Sequence, residues 1–154
     1  QELVQSQMQN MYKAAGAILH NDEDAADAIS ETILTCWEKL KQLREEKYFR
    51  TWLTRILINK CYDIIRKNKD LYFTSELYEA PVPDNKLDNV EWREVINMLN
   101  ERYRLPLVLY YLEEFKTSEI SHILDIPEST VRTRLARGRE QLANGLEINR
   151  RKTV

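Results

Sequence analysis

The sequence predicts an all-α protein of two small helical domains joined by a flexible linker, the second domain carrying a helix-turn-helix. Three observations predict it. Apolar residues recur at the three- and four-residue spacing of a helix along most of the chain. Three glycines and four prolines in 154 residues leave few turn-forming positions. One stretch loses the helical rhythm and contains Pro81-Val82-Pro83-Asp84-Asn85, which divides the chain into a domain at 1–69, a linker at 70–87 and a domain at 88–154.

The elements follow in order. Val4, Met8, Met11, Ala15, Ile18 and Leu19 share one stripe of a first helix. Asn21-Asp22 breaks it and caps a second helix, whose acidic first turn suits the positive helix end. The second helix is expected to bury Ile29, Ile33, Trp37 and Leu40, with Asp24, Asp27, Glu31 and Glu38 in an acidic row on its other face. After a polar loop over 41–47, a third helix runs from about Tyr48 to Asn68 with Phe49, Leu53, Ile56, Leu57, Cys61 and Ile64 inward. Beyond the linker, Trp92, Val95, Ile96 and Leu99 open a helix, and Leu105, Val108, Leu109 and Leu112 belong to another, with Pro106 expected in its first turn.

Charge is uneven along the chain. The total is −2, yet residues 44–69 carry a net +5 and residues 129–154 another +5, with acidic stretches between and before them. Two basic blocks suit a protein that meets nucleic acid in two places. No run of about 18 apolar residues is present to span a membrane. The start, Gln1-Glu2-Leu3-Val4, has neither the basic region nor the apolar core of a secretory signal, and its missing initiator Met reads as trimming. A cytoplasmic chain is therefore expected. Cys36 and Cys61 lack CxxC spacing and read as buried thiols, and His20 and His122 are isolated, so no metal, cofactor or small-molecule substrate is expected.

The most informative segment is 117–135. Thr117 or Ser118 can cap a short helix with Ile120, Ile123 and Leu124 inward. Asp125 falls where the chain must turn, a place for a left-handed residue that favours Gly and tolerates Asp. Pro127 suits the start of the next helix, in which Val131, Leu135 and Leu142 face inward. Ser129, Thr130, Arg132, Thr133 and Arg137 are left outward to reach base edges in a major groove, with Arg134 and Arg139 placed for phosphates. This is a helix-turn-helix.

Both halves together resemble the extracytoplasmic-function sigma factors of the sigma-70 family. Residues 103–115, the helix-turn-helix and Arg137-Gly138-Arg139-Glu140-Gln141-Leu142 are similar to region four. Residues 22–33, Trp37 and Phe49-Arg50-Thr51-Trp52-Leu53-Thr54-Arg55-Ile56-Leu57-Ile58-Asn59 are similar to region two. The resemblance covers nearly the whole chain apart from the linker. It implies a non-enzymatic subunit that binds core RNA polymerase and directs transcription from particular promoters, in response to envelope stress. It places polymerase docking, on the β′ clamp helices and the β subunit, at Asp24, Asp27, Glu31 and Thr32. It places −10 promoter contacts at Arg44, Lys47, Phe49, Trp52, Arg55, Asn59, Arg66 and Lys67. Ser129, Thr130, Arg132, Thr133, Arg134, Arg137 and Arg139 would meet the −35 element. An anti-sigma partner, usually membrane-anchored, is also implied, and would hold the chain at the inner face of the membrane. Ser30 and Asp125 stand where the family often has Gln and Gly.

Two other readings compete. A helix-turn-helix regulator would bind DNA without polymerase, usually as a dimer on paired half-sites; the basic block at 44–69 is a second nucleic-acid surface it does not need. A nucleic-acid enzyme such as a recombinase needs a clustered catalytic set, and the acids here run along one helix face instead.

Overall fold

The structure is a computed structural model that describes residues 2–68, 94 and 96–152, with side chains as far as Gly145. The expected linker at 70–87, and Trp92 and Val95 of the helix expected after it, lie outside the described residues. No strand occurs among the described residues, and the chain forms two compact units.

The first unit holds α1 (Glu2–Ser6), α2 (Met8–Ile18), α3 (Asp22–Lys39) and α4 (Phe49–Lys67), with short 3₁₀ turns at Leu40–Gln42 and Glu46–Tyr48. The stripe expected as one helix is divided at Gln7, whose N–H bonds Val4 O at 3.0 Å. Nothing in α1 is buried, so no core contact holds it in line with α2. Asn21 caps α3 as expected: its side-chain oxygen accepts from Glu23 N at 2.8 Å and Asp24 N at 3.4 Å.

Helices α2, α3 and α4 pack pairwise around one core of Met11, Ala15, Ile18, Ala28, Ile29, Leu53, Leu57 and Cys61. The inward face of α3 differs from expectation. Ala25, Ala28, Ile29, Thr32 and Cys36 are buried, while Trp37 is 54% and Leu40 42% exposed. Trp37 follows Cys36 by one residue, about 100° further round the helix, which carries its ring off the buried stripe. Thr32 is fully buried, and its hydroxyl is satisfied by the Ala28 carbonyl at 2.7 Å.

Cys36 and Cys61 are buried, unbridged thiols, as expected. Burial pushes the Cys61 thiol from 9.0 up to about 12. Cys61 should therefore resist a thiol reagent at pH 8 in the native protein and react once the chain is unfolded. Because the folded value is the higher one, its contribution to stability is complete below pH 9 and fades as pH rises towards 12. Rapid native labelling of Cys61 at pH 8 would contradict this.

The later described elements are α5 (Glu101–Leu107), a π-helical turn at Val108–Leu112, α6 (Thr117–Leu124) and α7 (Glu128–Lys152). Asn100 caps α5, its side chain accepting from Arg102 N at 3.1 Å. Pro106 lies in the sixth position of α5 rather than in its first turn, and is fully buried. The widened turn follows at once, where the helix ladder has lost the Pro106 N–H and resumes in a different register. Buried Arg104 donates to Leu99 O at 3.0 Å, and desolvation lowers its pKa.

Candidate nucleic-acid interface

The turn of the helix-turn-helix is built as the sequence foretold. Asp125 has φ 54°, the left-handed region, and Ile126 N donates to Ser121 O at 3.2 Å, closing the end of α6 in a Schellman pattern. The Ser121 hydroxyl adds a bond to Ile126 O at 2.6 Å. A non-Gly residue here carries backbone strain, so Asp125→Gly should raise stability by about 0.5–1 kcal/mol in denaturant unfolding. A loss of stability would show that the Asp side chain makes up for its conformation.

The start of α6 is capped differently from expectation. Lys116 precedes the helix, and its N–H donates to the Glu119 carboxylate at 2.9 Å, one half of a capping box. Thr117 is the first helical residue and uses its hydroxyl elsewhere, donating to the Glu128 carboxylate at 2.8 Å. That bond ties the first turn of α6 to the first turn of α7. The same Glu128 oxygen receives Arg132 Nη1 at 3.4 Å.

Along α7, Val131 and Leu135 are buried as expected, and Leu142 is half-buried. Ser129, Arg132, Thr133, Arg137 and Arg139 are exposed, and Thr130 and Arg134 half-buried. Thr133 donates to Ser129 O at 3.0 Å. Five of the seven expected residues, Ser129, Thr130, Thr133, Arg134 and Arg137, line one open depression of about 270 Å³. Arg132 stands outside it, and Arg139 lies back along its helix, donating to Leu135 O at 3.2 Å with its guanidinium 6.0 Å from the Tyr111 ring.

In the first unit, Trp52, Arg55, Asn59 and Arg66 follow one another at three-, four- and seven-residue steps, a single stripe of α4. Arg55, Asn59 and Arg66 are exposed and Trp52 half-buried, so these expected residues share one accessible face. Arg66 pairs with Asp63. Lys67 is exposed at the helix end, and Arg44 lies exposed in the loop. Lys47 is exposed, pairs with Glu45 at 3.1 Å and sits 5.1 Å from the Tyr48 ring. Phe49, expected inward from its spacing and at the −10 element from the resemblance, is 4% exposed, with its ring centroid 6.0 Å from that of Trp52. As the first residue of the buried Phe49–Leu53–Leu57–Cys61 row it is core, and the aromatic at the surface there is its neighbour Tyr48, 55% exposed. Tyr62 also falls on the stripe.

On α3, Asp27 and Glu31 are exposed and Asp24 half-buried, while Thr32 is enclosed and cannot offer its side chain to a partner. Two residues absent from the expected set stand out. Leu34 is 63% and Trp37 54% exposed, on the same face as Asp27, Glu31 and Glu38 at three- and four-residue steps. Two large apolar side chains flanked by carboxylates make an acidic, partly greasy ridge. Their violation of ordinary burial is the signal, and it is visible only once the core is known.

Residues 3–70 match the family described as Sigma-70 region 2, and residues 89–142 that described as Sigma-70, region 4. The chain is 32% identical to the ECF RNA polymerase sigma factor SigW of Bacillus subtilis, across 94% of this chain and 87% of that one. It belongs to the extracytoplasmic-function sigma factors. An ECF RNA polymerase sigma-E factor of Haemophilus influenzae is 28% identical over 94% of this chain and 86% of its own length. The sigma factor RpoE of Bartonella quintana, solved in complex with the anti-sigma factor NepR, shares the fold at TM-score 0.77 and 20% identity, covering 96% of this chain and 98% of that one. CnrH, solved with the cytosolic domain of CnrY, shares it at 0.71 and 21% identity, covering 96% and 86%. Within a sigma factor, the α3 ridge and the α4 stripe fall in region two and the α7 face in region four.

Proposed function

We propose that this sigma factor docks on core RNA polymerase through the α3 ridge, meets the −10 element along the α4 stripe and reads the −35 element with α7. The observation that supports this best is the pairing, in one chain, of an exposed acidic and aromatic ridge with a helix-turn-helix whose outer face is Arg, Ser and Thr. A DNA-binding regulator has use for the second surface but not the first. The α4 stripe alternates aromatic, cationic and amide groups, the combination that takes an opened strand, with bases stacked and phosphates neutralised. The α7 face suits an intact duplex.

Control by an anti-sigma protein is part of the proposal, supported by the complexes in which two proteins of this fold were solved. No described helix is long and apolar enough to cross a membrane. We place the chain in the cytoplasm and assign it no catalytic step of its own; chain synthesis belongs to the polymerase.

Run-off transcription with core RNA polymerase over a promoter library tests the whole reading. Transcripts should arise from a subset sharing two elements at fixed spacing, and only with core enzyme present. A chain that shifts promoter DNA alone and leaves core polymerase unchanged would instead be a regulator.

A further inference from the structure

The depression beside α7 has a second wall that the expected contacts did not include. Besides Ser129, Thr130, Thr133, Arg134 and Arg137, it is lined by Arg102 and Tyr103 of α5. Gly138 stands where α7 packs against α5. A Cβ at that position would stand 2.7 Å from Leu107 Cδ1 and 3.3 Å from Tyr103 Cβ, so any larger residue would have to displace the Leu107 side chain for α7 to lie this close to α5. Thr130, Arg134, Arg137 and Gly138 share one side of α7, at steps of four, three and one. The close approach at Gly138 thus brings the first turn of α5 alongside the exposed half of the recognition helix.

Three arginines, Arg102, Arg134 and Arg137, line this one cleft. None of the three forms an ion pair among the described residues, whereas Arg132 nearby is paired with Glu128. The other lining residues, Tyr103, Ser129, Thr130 and Thr133, carry hydroxyls, and no acidic residue contributes. Like charges gathered in a concave site favour an anion, and arginine forks match phosphate oxygens. The cleft adjoins the outward Ser129–Arg132–Thr133 face. A duplex presenting base edges to that face would carry a backbone strand along its margin.

We propose that Arg102, with Tyr103, is a backbone clamp: it holds a phosphate of the −35 duplex against Arg134 and Arg137 and sets the depth of α7 in the groove. This rests on the reading of α7 as the −35 helix. The clamp adds affinity without sequence information, because phosphates are alike at every step.

The test uses holoenzyme reconstituted from core polymerase and the full chain, binding a promoter chosen from the library and a version with a scrambled −35 element, across a salt series. Arg102→Gln should weaken both by the same factor, roughly three- to tenfold, and make the plot of log affinity against log salt shallower by about 0.9. Base preference at −35 should be unchanged. Arg102→Lys, which keeps the charge, should restore the slope. Unchanged affinity and slope in Arg102→Gln, beside a wild type that selects its promoter, would overturn the clamp alone. Altered base preference would overturn it too, making Arg102 a base reader. Wild-type holoenzyme indifferent to the −35 sequence would overturn the reading of α7 and the clamp with it.

Discussion

Trp37→Ala is expected to lower the affinity for core RNA polymerase by about 2–4 kcal/mol, some thirtyfold or more, without destabilising the chain. The two halves of this expectation have separate grounds. Trp37 is 54% exposed, so removing it opens no cavity in the α2–α3–α4 core. A large exposed aromatic beside Leu34, at 63%, is the kind of side chain that becomes a binding hot spot once a partner covers it. The acids around it contribute differently. Asp27 and Glu31 are solvated, and an exposed ion pair is worth only about 0–1 kcal/mol. They steer encounter and choose orientation more than they hold the complex. A single reversal should therefore slow association modestly, and Asp24→Lys/Glu31→Lys together should slow it clearly and make binding less sensitive to salt. Competition of each variant with the wild type for core enzyme, beside thermal unfolding of the free chain, measures both. If Trp37→Ala competes as well as the wild type, docking lies elsewhere; a lowered unfolding temperature would mean that Trp37 is structural after all.

The second large effect concerns α7, proposed to read the −35 element, where three arginines within six residues should behave differently. Arg132→Ala should cost about 1–3 kcal/mol on the preferred promoter and relax base preference at one position, the behaviour of a base-edge contact. In the free protein Arg132 rests on Glu128 at 3.4 Å, an exposed pair one helical turn apart. Such pairs are worth about 0.3–0.5 kcal/mol, well below a bidentate base contact, so DNA should take Arg132 from Glu128 readily. Arg137→Ala should also weaken the preferred promoter, since Arg137 is exposed and lines the cleft. Arg134→Ala should weaken all sequences alike, because its half-buried side chain lines the cleft and not the outer face. Selection of −35 variants by holoenzymes carrying each substitution separates the three. If Arg132→Ala left both affinity and preference intact, the outer face would be wrongly assigned; a preference change in Arg134→Ala would put that residue among the base readers.

Much of this protein is determined within short windows of its sequence. The cap at Asn21 and the turn at Asp125 depend on a side-chain oxygen or a backbone torsion reaching two to five residues along the chain. Both appear where the sequence placed them. The helix-turn-helix and the buried Val131 and Leu135 follow from a 3.6-residue period and a proline start, which are equally local. What the period does not carry is the identity of the buried residue among apolar neighbours. An amphipathic stripe is about 100° wide, so Cys36 and Trp37 could both be expected inward from the sequence of α3, and the helices packed against it admit the thiol and leave out the indole. The same reasoning encloses Thr32, which the resemblance placed at a docking surface. Arg102 had no local signature at all. Its place beside α7 comes from the close packing of α5 on α7 at Gly138, 36 positions later. Torsions and caps are properties of a segment. Burial and shared sites are properties of pairs of segments, and those only the tertiary structure brought together.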